Sequence, residues 1–208
     1  LGYLSYLSSA FVEGSIKPDR YAELKELMAC EAVDCALLAV EEATKRPACR
    51  FDAGYDRAPF ADMTNDTMSG FRPLARILAG KARLAAEAGD ADRAWHVALM
   101  QVRVADALRS EPFYISQLVR TGLMKYACET VRDLCAMAPP NSRQTAETDE
   151  LLRAFEDVSP LVRAVDADRL LVAERFFALP HQEQYEVYQQ GIGSDDVLLT
   201  AFYRIVFE

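Results

Sequence analysis

Between Asp90 and Ser110 the chain carries Trp95, Val97, Leu99, Met100, Val102, Val104 and Leu108. Read as one helix over about 91–109, these side chains leave almost no polar side. A helix apolar all round is stable only with other elements packed about it. That segment therefore demands several partners, and the rest of the chain supplies helices rather than strands. Apolar residues recur every three or four positions, and no short alternating runs stand between hairpin turns. The sequence predicts an all-α fold of antiparallel helical hairpins. They form either an irregular bundle or a tetratricopeptide-like right-handed array. Residues 1–208 read as a single helical domain, and the Pro139-Pro140-Asn141-Ser142 run makes 138–145 the candidate sub-boundary.

Punctuation residues divide the pattern. Leu4, Leu7 and Phe11 define a first helix closed by Gly14 and Pro18. Asp19 caps a second that runs toward Arg46 with a break near Cys30, and Pro47 stops it. Residues 47–66 have no period and read as a long loop, a length often tied to function or to a loop ordered by its own side chains. A third helix starts at Thr67, with Leu74, Ile77, Leu78, Leu84, Ala85 and Ala88 on one face. Gly89 follows as its C′ residue, and Asp90 or Asp92 caps the next helix. Ser110 is the expected cap of a fifth helix, with Pro112 near its first turn and Ile115, Leu118, Val119, Gly122, Leu123, Tyr126, Thr130 and Leu134 inward. Shorter helices follow at about 145–157, from Pro160, over 168–178, from Pro180 and after Ser194.

Residues 78–106 have the look of one tetratricopeptide hairpin. Ala82 is the small contact residue, Gly89 the turn, Ala94 the alanine after it and Ala98 the next contact. The usual later aromatic is replaced by Ala98 and the terminal proline by Asp106. No second copy stands at a 34-residue offset.

Charge narrows the function classes. The chain holds 23 Lys and Arg against 32 Asp and Glu, a net −9. A protein that neutralises a phosphate backbone needs a basic surface, so nucleic acid is not expected as a partner. The charge is uneven: residues 72–132 hold ten basic against six acidic residues, +4, and the remainder 13 against 26, −13. Outer acidic helices packed on a basic centre explain this, and a modest anion-binding surface is the other reading. With only His96 and His181, a three-histidine metal site is excluded. No catalytic triad, phosphate loop, EF-hand or metal-binding helix motif appears, so neither a metal nor another cofactor is expected.

Five cysteines leave at least one unpaired. On one helix Cys128 and Cys135 stand roughly 10 Å apart along the axis, beyond the ~7 Å a disulfide spans. Cys30 and Cys35 point in different directions around a helix. The five read as small buried hydrophobes.

Polar residues set against this apolar pattern are the candidates for a site. Arg72, Arg76 and Arg83 share one face of the third helix and read first as solvated, with Glu87 within reach of Arg83. Gln101, Asp106, Gln117 and Arg120 fall on two very apolar helices. Buried polar groups need partners, so a network linking these four is expected, as structure or as the lining of a pocket. The candidate ligand-binding set is Arg72, Arg76, Gln101, Gln117 and Arg120. Arg50, Asp52, Tyr55, Asp56 and Arg57 crowd the long loop as a second candidate cluster, for salt bridges that pin the loop or for carboxylate recognition. Tyr185, Tyr188, Phe202, Tyr203 and Phe207 form either a satellite core or a partner face, including that of a homodimer.

Phe71-Arg72-Pro73-Leu74-Ala75-Arg76-Ile77-Leu78, Ala88-Gly89-Asp90 and Glu111-Pro112-Phe113-Tyr114-Ile115-Ser116-Gln117-Leu118-Val119-Arg120 together resemble a group of uncharacterised bacterial helical proteins. Pro47-Ala48-Cys49-Arg50-Phe51 and Ala173-Glu174-Arg175 extend the likeness over about 35–178, while 52–66 and the tail after Pro180 depart from it. The resemblance implies an extracytoplasmic helical domain behind an N-terminal membrane anchor, with Leu1 as the cut that removed it. It implies no chemistry. Read without it, unpaired thiols suit a cytoplasmic setting. The leading expectation is a non-catalytic interaction or scaffold domain that binds a protein or peptide. The alternative is a small-ligand binder or enzyme with an Arg/Gln-lined pocket between helices 67–88 and 112–136.

Overall fold

The structure, a computed structural model, describes residues 2–46, 49, 68–170, 177, 178, 180 and 182. Its regular elements are all helical: α1 (Gly2–Val12), α2 (Pro18–Met28), α3 (Glu31–Thr44), α4 (Phe71–Glu87), α5 (Ala91–Asp106), a 3-10 turn (Ala107–Ser110), α6 (Tyr114–Met137), α7 (Ser142–Arg153) and α8 (Ser159–Asp168). The loop candidates Arg50, Asp52 and Tyr55, like the C-terminal aromatics, lie outside the described residues. None of the described helices is long and apolar enough to cross a membrane.

Helices α4, α5 and α6 pack on one another and form the centre, with α1 against α4, α3 and α7 against α5, and α8 against α6. Helix α5 meets the expectation for an apolar rod: Trp95, Val97, Ala98, Met100, Val102, Val104 and Ala105 are all buried. The α4–α5 turn follows the sequence signals. Gly89 takes φ +80°, a left-handed conformation that favours glycine. The Arg93 N–H donates to Asp90 Oδ1 at 3.0 Å, so Asp90 is the cap. Ala82, Ala94 and Ala98 are buried in one cluster with Leu78 and Trp95. Small side chains there bring the two helices close.

Several expectations shift. The expected break near Cys30 is present and divides the second helix into α2 and α3, but Lys17 rather than Asp19 stands at the N-cap, with Pro18 opening the helix. Lys81 on α4 holds the break: its Nζ donates to Met28 O (2.6 Å) and to Asp34 Oδ1 (3.0 Å). A cation is thereby set at the C-terminus of α2 and against the first turn of α3. Helix α6 begins at Tyr114, and Ser110 does not cap it. The Ser110 hydroxyl donates instead to Cys49 O at 2.7 Å. The inward face of α6 matches the expected one at Leu123, Thr130 and Leu134 and departs from it elsewhere. Ser116, Gln117, Arg120, Leu123, Met124, Ala127, Thr130 and Leu134 are buried, whereas Gly122 is exposed with open space around it. All five cysteines are free, but Cys30, Cys35, Cys128 and Cys135 are exposed rather than buried.

The stretch at 138–145 is stitched to α5 from both sides. The Trp95 Nε1–H donates to Ala138 O at 2.7 Å, and Gln144 Nε2 donates to Asp92 Oδ1 at 3.0 Å. Asn141 and Gln144 form a reciprocal capping box that starts α7 three residues before the expected helix.

Candidate functional site

The predicted site residues are spread over separate tasks. Arg72 is exposed at the start of α4. Arg76 leans over the Tyr126 ring on α6, 5.9 Å from its centroid. Gln101 Nε2 donates to Ala75 O at 3.0 Å, which ties α5 to the backbone of α4. Gln117 Nε2 donates to both Leu108 O and Glu111 O at 2.9 Å. Arg120 Nη2 donates to Asp106 Oδ1 at 2.7 Å, and its guanidinium lies 3.9 Å from the Phe155 ring centroid.

Of the expected four-residue network, the Arg120–Asp106 pair forms and the glutamines turn elsewhere. The cause is the 3-10 turn. It ends α5 abruptly; the Leu108 carbonyl accepts from the Glu111 N–H at 3.1 Å as well as from Gln117, and the Glu111 carbonyl accepts from Gln117. Asp106 closes α5, where a carboxylate faces the negative end of the helix, and Arg120 neutralises it. Gln117 and Arg120 thus brace the corner from α5 to α6, Gln101 serves the α4–α5 contact, and Arg72 faces solvent. The five do not converge on one space.

The arginine face of α4 is only partly solvated, because α1 and α6 lean over it. Arg83 Nη1 donates to Val12 O at 2.8 Å at the end of α1, and its guanidinium lies 5.2 Å from the Phe11 ring centroid. The expected Arg83–Glu87 pair is present at 3.7 Å. Between α1, α4 and α6 lies a recess of about 10 Å³, room for one water, lined by Arg83, Thr130 and Asp133 among others.

Charge complementarity between the basic centre and the acidic periphery is visible in ion pairs. Asp34 on α3 meets Lys81 on α4 at 3.0 Å and Arg93 on α5 at 3.8 Å, and the Lys81 ammonium holds its carboxyl below the usual range. Arg103 on α5 pairs with Glu147 on α7. His96 is a half-exposed boundary residue with Nε2 3.2 Å from Glu41 Oε2, and that contact lowers the Glu41 pKa. Among the described residues no group of three or more His, Cys, Asp or Glu is placed to hold a metal.

Helix α8 lies where Pro160 predicts a helix, but which of its sides is buried was not read from the sequence. Its buried side chains are Pro160, Ala164 and Asp168, a stripe at four-residue spacing set against α6. On another side of the same helix Val158, Leu161, Val162 and Val165 stand 42–66% exposed. The small residues face inward and the larger aliphatics face out. Helix α8 is anchored at both ends by carboxylates. Asp157, just before it, accepts from the Ser159 N–H (3.0 Å) and from Arg109 Nη2 (2.7 Å). Those donors hold its carboxyl down at about 2, the Ser159 N–H contributing most. At the other end Asp168 Oδ2 accepts from the Tyr114 N–H at 3.0 Å and so caps α6 from 54 residues away.

Comparison of the chain with protein-family models, curated proteins and solved structures finds no match.

Proposed function

We propose that the chain is a non-catalytic helical interaction domain that binds a protein or peptide, and that α8 presents the binding face. The observation that carries this reading is the exposed run of Val158, Leu161, Val162 and Val165. At three- and four-residue spacing these side chains form one stripe. Scattered exposed apolar residues are ordinary, but a contiguous apolar patch marks an interaction surface. The direction of the interior polar groups also supports it, since the Gln101 and Gln117 amides donate to backbone carbonyls and Arg120 Nη2 to Asp106. A tetratricopeptide-like element is proposed for the α4–α5 hairpin alone, on the burial of Ala82, Ala94 and Ala98.

A photo-cross-linking amino acid at Val162 or Val165, in a native extract, tests the reading, with the same label at exposed Tyr6 on α1 as control. A discrete adduct from α8 alone, suppressed by excess unlabelled chain and by Leu161→Glu, is expected. Identical weak labelling from α8 and Tyr6 overturns it.

A further inference from the structure

We infer that protonation of Asp168 sets how firmly α8 is held on α6, so that the helix bearing the exposed aliphatic stripe is clamped in mild acid and loosened at neutral pH. The inference rests on the interaction reading only for what α8 is for; the device itself is read from the geometry.

Helix α8 buries little against α6. Pro160 and Ala164 supply small apolar contacts, and the third buried position is the carboxyl of Asp168, 4% exposed. Its Oδ2 has the Tyr114 N–H. Its Oδ1 is buried without a hydrogen-bond partner. Ionisable side chains stand on every element packed there: Glu111 and Arg109 before α6, Tyr114 and Arg120 on α6, Arg163, Asp166 and Arg169 on α8. Arg109 is committed to Asp157 and Arg120 to Asp106. Among the described residues the Tyr114 N–H is the hydrogen-bond donor to Asp168 and no Lys or Arg forms a salt bridge with it. A buried carboxylate with one backbone donor and no cation is a costly charge to keep. Burial pushes this carboxyl up to about 6, although the Tyr114 N–H pulls the other way.

The direction follows from linkage. Released from α6, the carboxyl returns to its ordinary value of 3.8, so it holds its proton more tightly when docked. Docking is therefore strongest below about pH 4, weakens as pH rises toward 6, and then stays weak. Those two values make docking about tenfold tighter at pH 5 than at pH 7. The other shifted carboxyls, at Glu23, Asp34, Glu41 and Asp157, lie below their ordinary values and stay charged across that interval.

Amide hydrogen exchange over residues 159–168 of the full chain, corrected for intrinsic rates, reads this directly. About tenfold more protection at pH 5 than at pH 7 is expected, with α5 amides unchanged. Asp168→Asn is expected to remove the pH step and to hold α8 at pH 7 as firmly as the parent chain at pH 5. In the unmodified chain the Asp168 side-chain carbon resonance should titrate near 6. A resonance that titrates near 4, equal protection at both pH values, or an unchanged pH step in Asp168→Asn overturns the inference. A clear pH step without any α8 cross-link would sink the binding reading and leave this one standing. A flat profile with cross-linking intact would do the reverse.

Discussion

Helices α1 and α8 have nearly the same length, 11 and 10 residues, and both lie on the outside of the α4–α6 centre. They are attached by different physics. Helix α1 buries Leu7 and Phe11 in a cluster with Leu24, Met28 and Ile77. It also approaches α4 so closely that a Cβ on Gly80 would stand 3.0 Å from Ser8 Cβ. Helix α8 buries a proline, an alanine and a carboxyl, and leaves its larger aliphatics outside. Hydrophobic burial and close fit change little with pH, whereas a desolvated carboxyl changes with every proton. One flank of the molecule is therefore a fixture and the other is adjustable.

The contrast breaks most sharply at α1. Phe11→Ala should cost on the order of 3–5 kcal/mol by chemical denaturation, with exchange in α8 unaffected. If α8 loosens equally, the two flanks are one cooperative unit and the comparison fails. Gly80→Val should cost about 1–3 kcal/mol, because added carbon at that contact forces α1 off α4. The change should appear as lost protection in α1. Smaller effects belong to pH and α8. Asp157 contributes to docking above its ordinary 3.8, and that contribution is lost as pH falls through about 2. Asp168 acts in the opposite sense as pH rises from 3.8 to about 6. Protection of α8 should accordingly peak near pH 4, with α1 flat over the same range. A peak near neutral pH would contradict the roles given to both carboxylates. The smallest effect is expected from Val165→Ser, within about 0.5 kcal/mol in thermal unfolding, because the side chain is already in water. A larger loss would mean that this face is covered.

How much of this was legible in the sequence depends on whether the cause is local. The α4–α5 hairpin was legible because Gly89 and Asp90 act on their own turn. The start of α6 was not. Its cap is Asp168, distant in the chain, and no spacing rule points from Tyr114 to it. Ser110, the obvious local candidate, bonds to Cys49. The inward face of α6 was legible at Leu123, Thr130 and Leu134 but not in the first two turns, for a related reason. Beyond the 3-10 turn the carbonyls of Leu108 and Glu111 both take the Gln117 amide, so Gln117 turns inward, with Arg120 one turn on reaching Asp106. Apolar periodicity cannot anticipate a polar demand created by a neighbouring turn. The exposed cysteines show another limit: Cys128 and Cys135, seven residues apart, share the outer side of α6, opposite a face already filled by Leu123, Met124, Ala127 and Leu134. For α8, Pro160 marked the start, but ten residues that carry both a small-residue stripe and an aliphatic one do not reveal which of the two meets α6.

The bond from Trp95 to Ala138 has a practical consequence. Trp95 is the chain's single tryptophan, fully enclosed, and its indole N–H is fixed to the carbonyl that ends α6. Emission from that one fluorophore should be blue-shifted while the α6–α7 junction is seated on α5, and should move to the red when it lifts. The molecule thus carries its own optical gauge of that joint.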